Sequence, residues 1–421
     1  MNQVKVALIG AGMRGQAYAD YAIRHPEEMQ IIAVADPNEN RRNKMKLAHR
    51  LEESMCYSDW DELLAQPKLA DTVFICTQDK LHFEPTVKAM EAGYHVLLEK
   101  PMSPDPRECI VMEALARQHG KVFSICHVLR YTNFFGTIKR LLDEGAIGRL
   151  MSIQHNENVG YYHQAHSFVR GNWRNSAESS PMILSKSCHD MDILQWLVGS
   201  ECIQISSFGR LSHFKAEQAP AGAPKRCTDG CPVADECHYF APDIYLTEEP
   251  SWLAMAISDD HSYDARLRAL QEGPYGRCVY HCDNDVVDHQ VVCMEFANEV
   301  TAMFSLTAFT KDITRTIKLM GTKGEIRGAM EKNEVEWIRF GNHEPELIDT
   351  VGGAGHGGGD LGLIRDFIKL VQAGGQGKGL TSAENSLQSH LMAFAAEEAR
   401  LSNKTIHVPT LRDQFTAQSF Q

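Results

Sequence analysis

One turn near the start restricts this chain more than any other feature. VKVALI (Val4–Ile9) is a short apolar run rich in β-branched residues, and it leads into Gly10, Gly12 and Gly15, spaced G-x-G-x-x-G. In that setting the first glycine makes a tight turn and the second lets the backbone approach a diphosphate. The third lets the next helix pack closely on the strand. The N-terminus of that helix offers unpaired N–H groups to an anion. A helical pattern follows through Ala17, Tyr18, Tyr21 and Ala22. A second strand, Met29–Asp36, then ends on a carboxylate, at the distance of about twenty residues where a ribose hydroxyl is held. Strand, turn, helix and acid together predict a dinucleotide site built from Gly10, Gly12, Met13, Arg14, Gly15 and Asp36. The Asp36 charge favours NAD, since it repels a 2′-phosphate; Arg14, Arg41 and Arg42 keep NADP open.

The same rhythm continues. Asp71–Thr77, Tyr94–Pro101 and Lys121–Val128 read as further strands. Helical stretches separate them: HFEPTVKAMEAG, closed by Gly93, and Arg107–Gln118, capped by Ser103. Five short apolar strands alternating with helices predict a doubly wound parallel sheet covered on both faces. The rhythm changes near residue 125, so the chain divides into 1–125 and 126–421. Later segments such as RLMSIQHNENV, HQVVCMEFANEVTAMFSLTAFT and RTIKLMGTKGEIRGAM alternate polar and apolar residues, as strands with one covered face do. Residues 210–285 are irregular and rich in Cys, Pro and Tyr. GGAGHGGGDLG is a glycine loop, followed by amphipathic helices at Leu361–Ala373 and Ser382–Leu401. The 421 residues are enough for two domains, and the net charge of −13 argues against a general nucleic-acid binder. No apolar run is long enough to span a bilayer, and no signal peptide precedes the first strand. The expected location is cytoplasmic, where the 12 cysteines are reduced thiols or metal ligands.

GAGMRG (Gly10–Gly15), CTQDKLH (Cys76–His82), EKP (Glu99–Pro101), GAIGRL (Gly145–Leu150) and the H-x-x-D of His189–Asp192 occur in this order. In these motifs the sequence resembles the Gfo/Idh/MocA oxidoreductases, the family of glucose–fructose oxidoreductase and inositol dehydrogenase. The resemblance implies an N-terminal Rossmann domain and a C-terminal α/β domain with a large open, mixed, mainly antiparallel sheet. That sheet often joins copies into homodimers or homotetramers. It also implies a nicotinamide cofactor and a sugar, sugar acid or cyclitol substrate. Thr77, Gln78 and His82 are then expected along the cofactor, and Glu99 and Lys100 beside the nicotinamide, with Pro101 after a cis peptide in many members. A cation there has a physical purpose: it stabilises the alkoxide that develops as a hydroxyl-bearing carbon gives up hydride. Some members are glycosidases that oxidise, eliminate and return the hydride. A sensor that binds ligand without turnover is a further alternative, which Lys100 and His189 argue against.

SKSCHDMD (Ser185–Asp192) gathers an amine, a thiol, an imidazole and two carboxylates ahead of the apolar run ILQWLV. On one helix Lys186, His189 and Asp192 would share a face, with Gly199 as the stop. The family commonly has an aspartate four residues before the histidine, the pair forming a proton relay; here Ser185 stands there. His189 is the expected general base, with Lys186 in the relay's place, and a purely substrate-binding role for His189 is the alternative. Asp192 is either a substrate contact or a buried structural one. Cys188 reads as a packed thiol. Upstream, NVGYYHQAHSFVRGNWRN places Tyr161, His163, His166, Arg170, Trp173 and Arg174 in a dense aromatic and cationic stretch. It lines a sugar pocket, or else is a loop satisfied by its own contacts. His356 and Asp360 either close over the ligand or begin a helix.

Cys227, Cys231 and Cys237 form C-x3-C-x5-C, with Cys278 and Cys282 later in the insert. Zinc takes four thiolate or imidazole ligands and fastens segments with little core. The expected set is Cys227, Cys231, Cys237 and Cys278, or Cys282 in place of the last, with His238 less favoured. An iron–sulfur cluster uses four thiolates as well, and free thiols in a loop remain the third reading.

Overall fold

The computed structural model describes residues 3–341, 344–353, 356–377 and 379–419. Val4–Ile9 forms β1 and is buried at every position but Lys5, as a central strand covered on both faces must be. Beside it lie β2 (Met29–Ala35), β3 (Cys56–Tyr57), β4 (Thr72–Ile75), β5 (His95–Leu98) and β6 (Phe123–Ile125). All neighbours are parallel, in the order β3-β2-β1-β4-β5-β6. The strand that the sequence did not announce is β3, two residues long, too short to carry a periodic signal. The order reverses between β1 and β4, which opens a crevice beyond the C-terminal strand ends. The helix after β5 runs Pro106–His119, and its cap is Asp105 rather than Ser103: the Asp105 carboxylate accepts the Arg107 N–H at 2.8 Å. The Ser103 hydroxyl instead accepts the Asp105 N–H and donates to Glu108.

The second sheet has nine strands: β7 (Leu150–Asn158), β8 (Cys202–Arg210), β9 (His289–Phe296), β10 (Thr301–Thr307), β11 (Thr314–Gly321), β12 (Gly324–Ala329), β13 (Glu334–Arg339), β14 (Glu346–Asp349) and β15 (Ile406–His407). Their order is β14-β13-β12-β11-β7-β10-β9-β8-β15. Every pair is antiparallel except β7 with β10. Burial alternates along β9 and β11. Val292, Met294, Phe304, Leu306, Ile317 and Leu319 pack in one core with Ile193, Leu194 and Leu197 of the helix Cys188–Val198 and with Leu391 of the helix Ala383–Ser402. The opposite face is open, with a shallow depression of about 490 Å³ over Gln154, Ser206 and Met303.

Strands β8 and β9 are paired neighbours, so residues 211–288 are a long excursion between two adjacent strands. The excursion packs through two small clusters, one around Phe214, Tyr239 and Val279, the other around Tyr245, Leu253 and Leu270. The chain also returns to its start. The helix Gly359–Gln372, on the far side of a division at residue 125, packs Leu363, Ile364, Phe367 and Ile368 against Val6, Leu8 and Phe74 of the first sheet. The Phe74 and Phe367 rings meet edge to face, 5.7 Å apart.

Candidate active site

The glycine turn sits at the crevice. Gly10 has φ +88°, and a Cβ there would lie 2.6 Å from the Cys76 carbonyl oxygen. A Cβ on Gly15 would lie 2.0 Å from the Gly10 carbonyl oxygen, so strand, turn and helix fit only without side chains. At Gly12 a Cβ would meet nothing nearer than Arg41 Nη1 at 3.9 Å: the space in front of it is free. Gly12 caps the helix Met13–Arg24 with no side-chain hydrogen bond and no acid in the first turn. Its first N–H groups are thus left for an outside anion, which fits the diphosphate of a dinucleotide. Asp36 is buried against the turn, accepting the Ala11 N–H at 2.7 Å and the Asn38 N–H at 2.8 Å. The exposed Met13 stands at the first turn of the helix.

The neighbouring cations are engaged. Arg14 donates to Glu99 at 2.8 Å and to Asp360 at 2.8 Å, and its Nη2 meets the Tyr18 hydroxyl at 2.5 Å. Burial pushes the Glu99 carboxyl upward, but Arg14 and Lys100 outweigh it and hold it below its ordinary value. Glu99 also accepts the Lys100 N–H at 2.9 Å, so its role is to fix the backbone at Lys100. Thr77 donates to the Leu81 carbonyl at 3.0 Å, and Gln78 opens the short turn Asp79–Leu81. His82 is fully buried, with one ring nitrogen 2.7 Å from the Pro101 carbonyl and the other 3.1 Å from the Thr77 carbonyl. It ties the two loops together.

Lys100 precedes Pro101 through a cis peptide, and its Nζ donates to the Ser185 carbonyl at 2.7 Å. That carbonyl ends a short helix, Met182–Ser185, just ahead of the helix Cys188–Val198 that carries His189. The imidazole is 7% exposed, and its Nδ1 has no hydrogen-bond partner. Burial first, then the Lys100 charge, hold it well below the ordinary histidine value, so it is a neutral acceptor at neutral pH. The Ser185 hydroxyl is turned back onto the Pro181 carbonyl, 3.2 Å away, and gives His189 no relay. His189 instead belongs to a row of imidazoles: His127 lies 5.7 Å from it and His356 6.2 Å, and His390 lies 5.5 Å beyond His127. His127 is fully buried with both ring nitrogens unpartnered.

The shared helical face does not exist as drawn from the sequence. Ser187 caps the helix, and Lys186 falls before it. Lys186 pairs with Glu157 of β7 at 3.2 Å, and burial lowers its pKa. Glu157 also holds Arg315 at 2.6 Å; Arg315 holds Asp190 at 2.7 Å, and Asp190 meets His155 at 2.8 Å. Burial raises Asp190, but Arg315 and His155 overcome it and keep the carboxyl far below its usual range. Asp192 proves structural: it is fully buried in an ion pair with Arg130 at 2.7 Å and is not open to a substrate. Cys188 is a buried thiol, pushed up to about 12 by burial.

The aromatic stretch divides. His163 comes close to the site: burial, Lys186 and Lys100 all depress it, and its Nδ1 is unpartnered. His356 stays at the site through its ring contact with His189 and a 3.2 Å contact to Asp360. Asp360 pairs with Arg14, while Gly358 holds the cap position of its helix. The other members serve the insert or the loops. Tyr161 packs on Tyr239 and His238, and His166 stacks on Tyr275 at 4.8 Å. Arg170 is fully buried among backbone carbonyls of the insert. Trp173 donates to Asp79 at 3.1 Å, where Ser179 and Ser180 also donate. Arg174 clasps Asp283 and Glu178 at the surface, each at 2.8 Å. All five were expected to line a substrate pocket; in this structure their partners belong to the insert and the loops.

Cys227, Cys231, Cys237 and Cys278 line one cavity, whereas Cys282 turns its thiol to the Cys278 carbonyl at 3.3 Å. Among the described residues, however, no three of these sulfurs lie within 4.8 Å of one another, so the tight shell of a single zinc ion is not preformed.

Comparison with known proteins agrees with this geometry. Residues 4–127 match the model described as "Oxidoreductase family, NAD-binding Rossmann fold" and residues 139–351 the one described as "Oxidoreductase family, C-terminal alpha/beta domain". These matches define an NAD-binding oxidoreductase. The chain belongs to the Gfo/Idh/MocA family. It is 26% identical to the oxidoreductase YteT of Bacillus subtilis over 325 residues, 73% of this chain and 74% of that protein. It is 29% identical to the 2,7-anhydro-N-acetylneuraminate hydratase of Escherichia coli over 196 residues, 47% of this chain and about half (50%) of the hydratase. It is 26% identical to inositol 2-dehydrogenase 4 of Saccharopolyspora erythraea over 278 residues, 64% of this chain and 72% of that enzyme. A solved levoglucosan dehydrogenase in complex with NADH and levoglucosan shares the fold with a TM-score of 0.73 at 20% identity, covering 97% of this chain and 100% of the other. No helix among the described residues is long and apolar enough to cross a membrane.

Proposed function

We propose that the protein is an NAD-dependent dehydrogenase acting on a hydroxyl-bearing carbon of a sugar, sugar acid or cyclitol. The observation that carries this reading is the convergence of Lys100 and His189. The Lys100 amine, held on the Ser185 carbonyl, stands beside a neutral imidazole whose Nδ1 is buried without a partner, at the end of the sheet that carries the glycine turn. When bound, NAD supplies the hydride acceptor. Lys100 holds the substrate oxygen and stabilises its charge as the C–H bond weakens, and His189 takes the hydroxyl proton. Glu99 and Arg14 fix the loop that carries Lys100. NAD is preferred over NADP: the Asp36 carboxylate follows β2, where a 2′-phosphate would meet its charge, and the nearby arginines are engaged, Arg42 on the Asp36 carbonyl at 2.6 Å and Arg41 with Asp259 at 3.6 Å.

The test is single-turnover mixing of enzyme-bound NAD with a panel of sugars, uronates, cyclitols and glycosides, followed at the NADH absorbance. One compound class should give NADH in stoichiometric amount. Lys100→Met should lower that rate by about 10²–10³, the effect of losing one oxyanion donor, with NAD affinity kept. His189→Asn should lower it by about 10²–10⁴. Full rates in both variants would reject the mechanism. A second reading has its own support: His163, near Lys186 and with its Nδ1 unpartnered, is the additional base that a redox-neutral elimination or hydration needs. The relatedness to a hydratase agrees with it. Transient NADH that returns to NAD as a glycoside or anhydro-sugar is consumed would favour that reading over net oxidation.

A further inference from the structure

Arg170 is among the largest fully buried side chains of the protein, and no carboxylate among the described residues is paired with it. Its Nε donates to the Arg277 carbonyl at 2.7 Å and its Nη2 to the Tyr239 carbonyl at 2.6 Å, while Nη1 is buried without a partner. The nearby Tyr245 phenol is neutral, pushed up to about 12 by burial. A buried guanidinium with no counter-charge is costly, and the place where a counter-charge belongs is visible. Arg170 borders the cavity lined by Cys227, Cys231, Cys237 and Cys278, with its Nη2 3.7 Å from the Cys227 sulfur.

The backbone brings these cysteines together from distant parts of the insert. Arg226 and Arg277 form an isolated antiparallel bridge; Cys227 N–H donates to the Gly276 carbonyl at 2.9 Å and Cys278 N–H to the Lys225 carbonyl at 2.9 Å. Cys227 and Cys278 are thus held on adjoining segments. A turn through Ala234, whose N–H reaches the Cys231 carbonyl and whose carbonyl accepts the Cys237 N–H, brings the other two. None of the four is in a disulfide. Four protonated thiols would leave Arg170 uncompensated, whereas four thiolates on a divalent ion or on an oxidised cubic cluster carry a net charge of about −2.

We propose that this cavity takes a thiolate-ligated metal centre, held by Cys227, Cys231, Cys237 and Cys278, whose negative charge is balanced by Arg170. It lies in the insert between β8 and β9, apart from the hydride chemistry. It fastens a segment whose own apolar clusters are small, and with it the stretch that carries His163 and His166. Zinc and an iron–sulfur cluster share this ligand chemistry. No three of the sulfurs lie within 4.8 Å of one another, so a single ion requires the thiols to draw inward, and the metal analysis separates the two.

The full chain, purified without oxygen, is assayed for metals by mass spectrometry, for acid-labile sulfide, and for thiols that react in the native state. The expected result is a stoichiometric metal: one zinc per chain without colour, or iron with matching sulfide and a broad visible absorption. Removal by a strong chelator should expose four further reactive thiols. Cys231→Ser and Cys278→Ser should each lose the metal, while Cys282→Ser and Cys293→Ser keep it. Native protein that carries no metal and whose four thiols react without chelator overturns the proposal, and that measurement does not depend on any variant folding. Equal metal content in wild type, Cys231→Ser and Cys278→Ser overturns the ligand assignment.

Discussion

At Gly15 a single added carbon would lie 2.0 Å from a backbone oxygen, whereas at His189 the surroundings are set by Lys100, His127, Arg315 and His356, drawn from distant parts of the sequence. The glycine turn is held by the path of the main chain: β1, the turn and the helix Met13–Arg24 meet so closely that only hydrogen fits. The wall beyond Lys100 is held by buried side-chain pairs, with Lys186, Glu157, Arg315, Asp190 and His155 in one network and Arg130 with Asp192 in another. A backbone site fails through the residue that occupies it. A charge-built site fails through partners far away in sequence, because a buried ion left alone costs more than the pair contributes.

The sharpest way to break this comparison is Gly15→Ala. The methyl group cannot be absorbed by a side-chain shift, since the obstacle is the Gly10 carbonyl, so the turn must open. NAD affinity should fall by more than about 1000-fold, equivalent to about 4 kcal/mol, in a titration by protein fluorescence, while Met13→Ala, at an exposed side chain of the same turn, should leave the fold intact. NAD binding within tenfold of wild type in Gly15→Ala would show that the turn is not fixed by its backbone.

On the other wall, Arg130→Met leaves Asp192 buried and unpaired. Asp192 is fully buried, so the loss should be about 3–5 kcal/mol in a denaturant melt. Arg130→Met with Asp192→Leu should restore most of it, because no lone charge then remains. A single variant within about 1 kcal/mol of wild type would remove the distinction between the two walls.

The same contrast governs what could be read from the sequence. β1, the turn and Asp36 announce themselves because their meaning lies in local spacing and in the absence of side chains. The nine-stranded sheet was legible where strands alternate strictly, as β9 and β11 do. It was not legible at β8, β13, β14 and β15, which are ragged or short. Arg174 was read as a pocket residue, whereas its partner in this structure, Asp283, stands 109 positions away, and no local pattern reports that pairing. His127 was passed over as a strand residue, although it lies two residues past β6 at the strand end that faces the crevice, and that position was the available signal. Glu157 and Arg315 carried no signal at all: each looks like an ordinary polar position in an alternating strand.

The histidines sharpen the comparison at a smaller scale, through pH. His166 is pushed down to about 4 by burial and then Arg170, and His390 to about 3 by burial and then His127. Unfolded, each titrates near its ordinary value of about 6.5. Between the two values the unfolded chain binds the extra proton, so stability is full above pH 6.5 and is lost as the pH falls toward the folded values. Each should cost about 2 kcal/mol at pH 5 relative to pH 7. His390→Gln and His166→Gln should each reduce the pH 7 to pH 5 difference by that amount, whatever they do to stability at pH 7. An unchanged difference would mean that these rings are protonated in the folded protein.

The smallest expected effect is the most direct test of the corrected assignment. Arg174 reaches Asp283 and Glu178 at the protein surface, and Asp283 keeps a second cation in Arg277 when Arg174 is removed. The hydrogen bond from Arg174 does most to hold the Asp283 carboxyl below its ordinary range, but that carboxylate is half exposed, so solvent screens the interaction. Arg174→Ala should therefore cost no more than about 1 kcal/mol, with kcat/KM unchanged within about twofold. If the guanidinium instead held a substrate carboxylate or hydroxyl, KM would rise by an order of magnitude or more while stability stayed the same. A stability loss without a KM change and a KM change without a stability loss are opposite outcomes, and they separate a clasp of the insert from a wall of the substrate site.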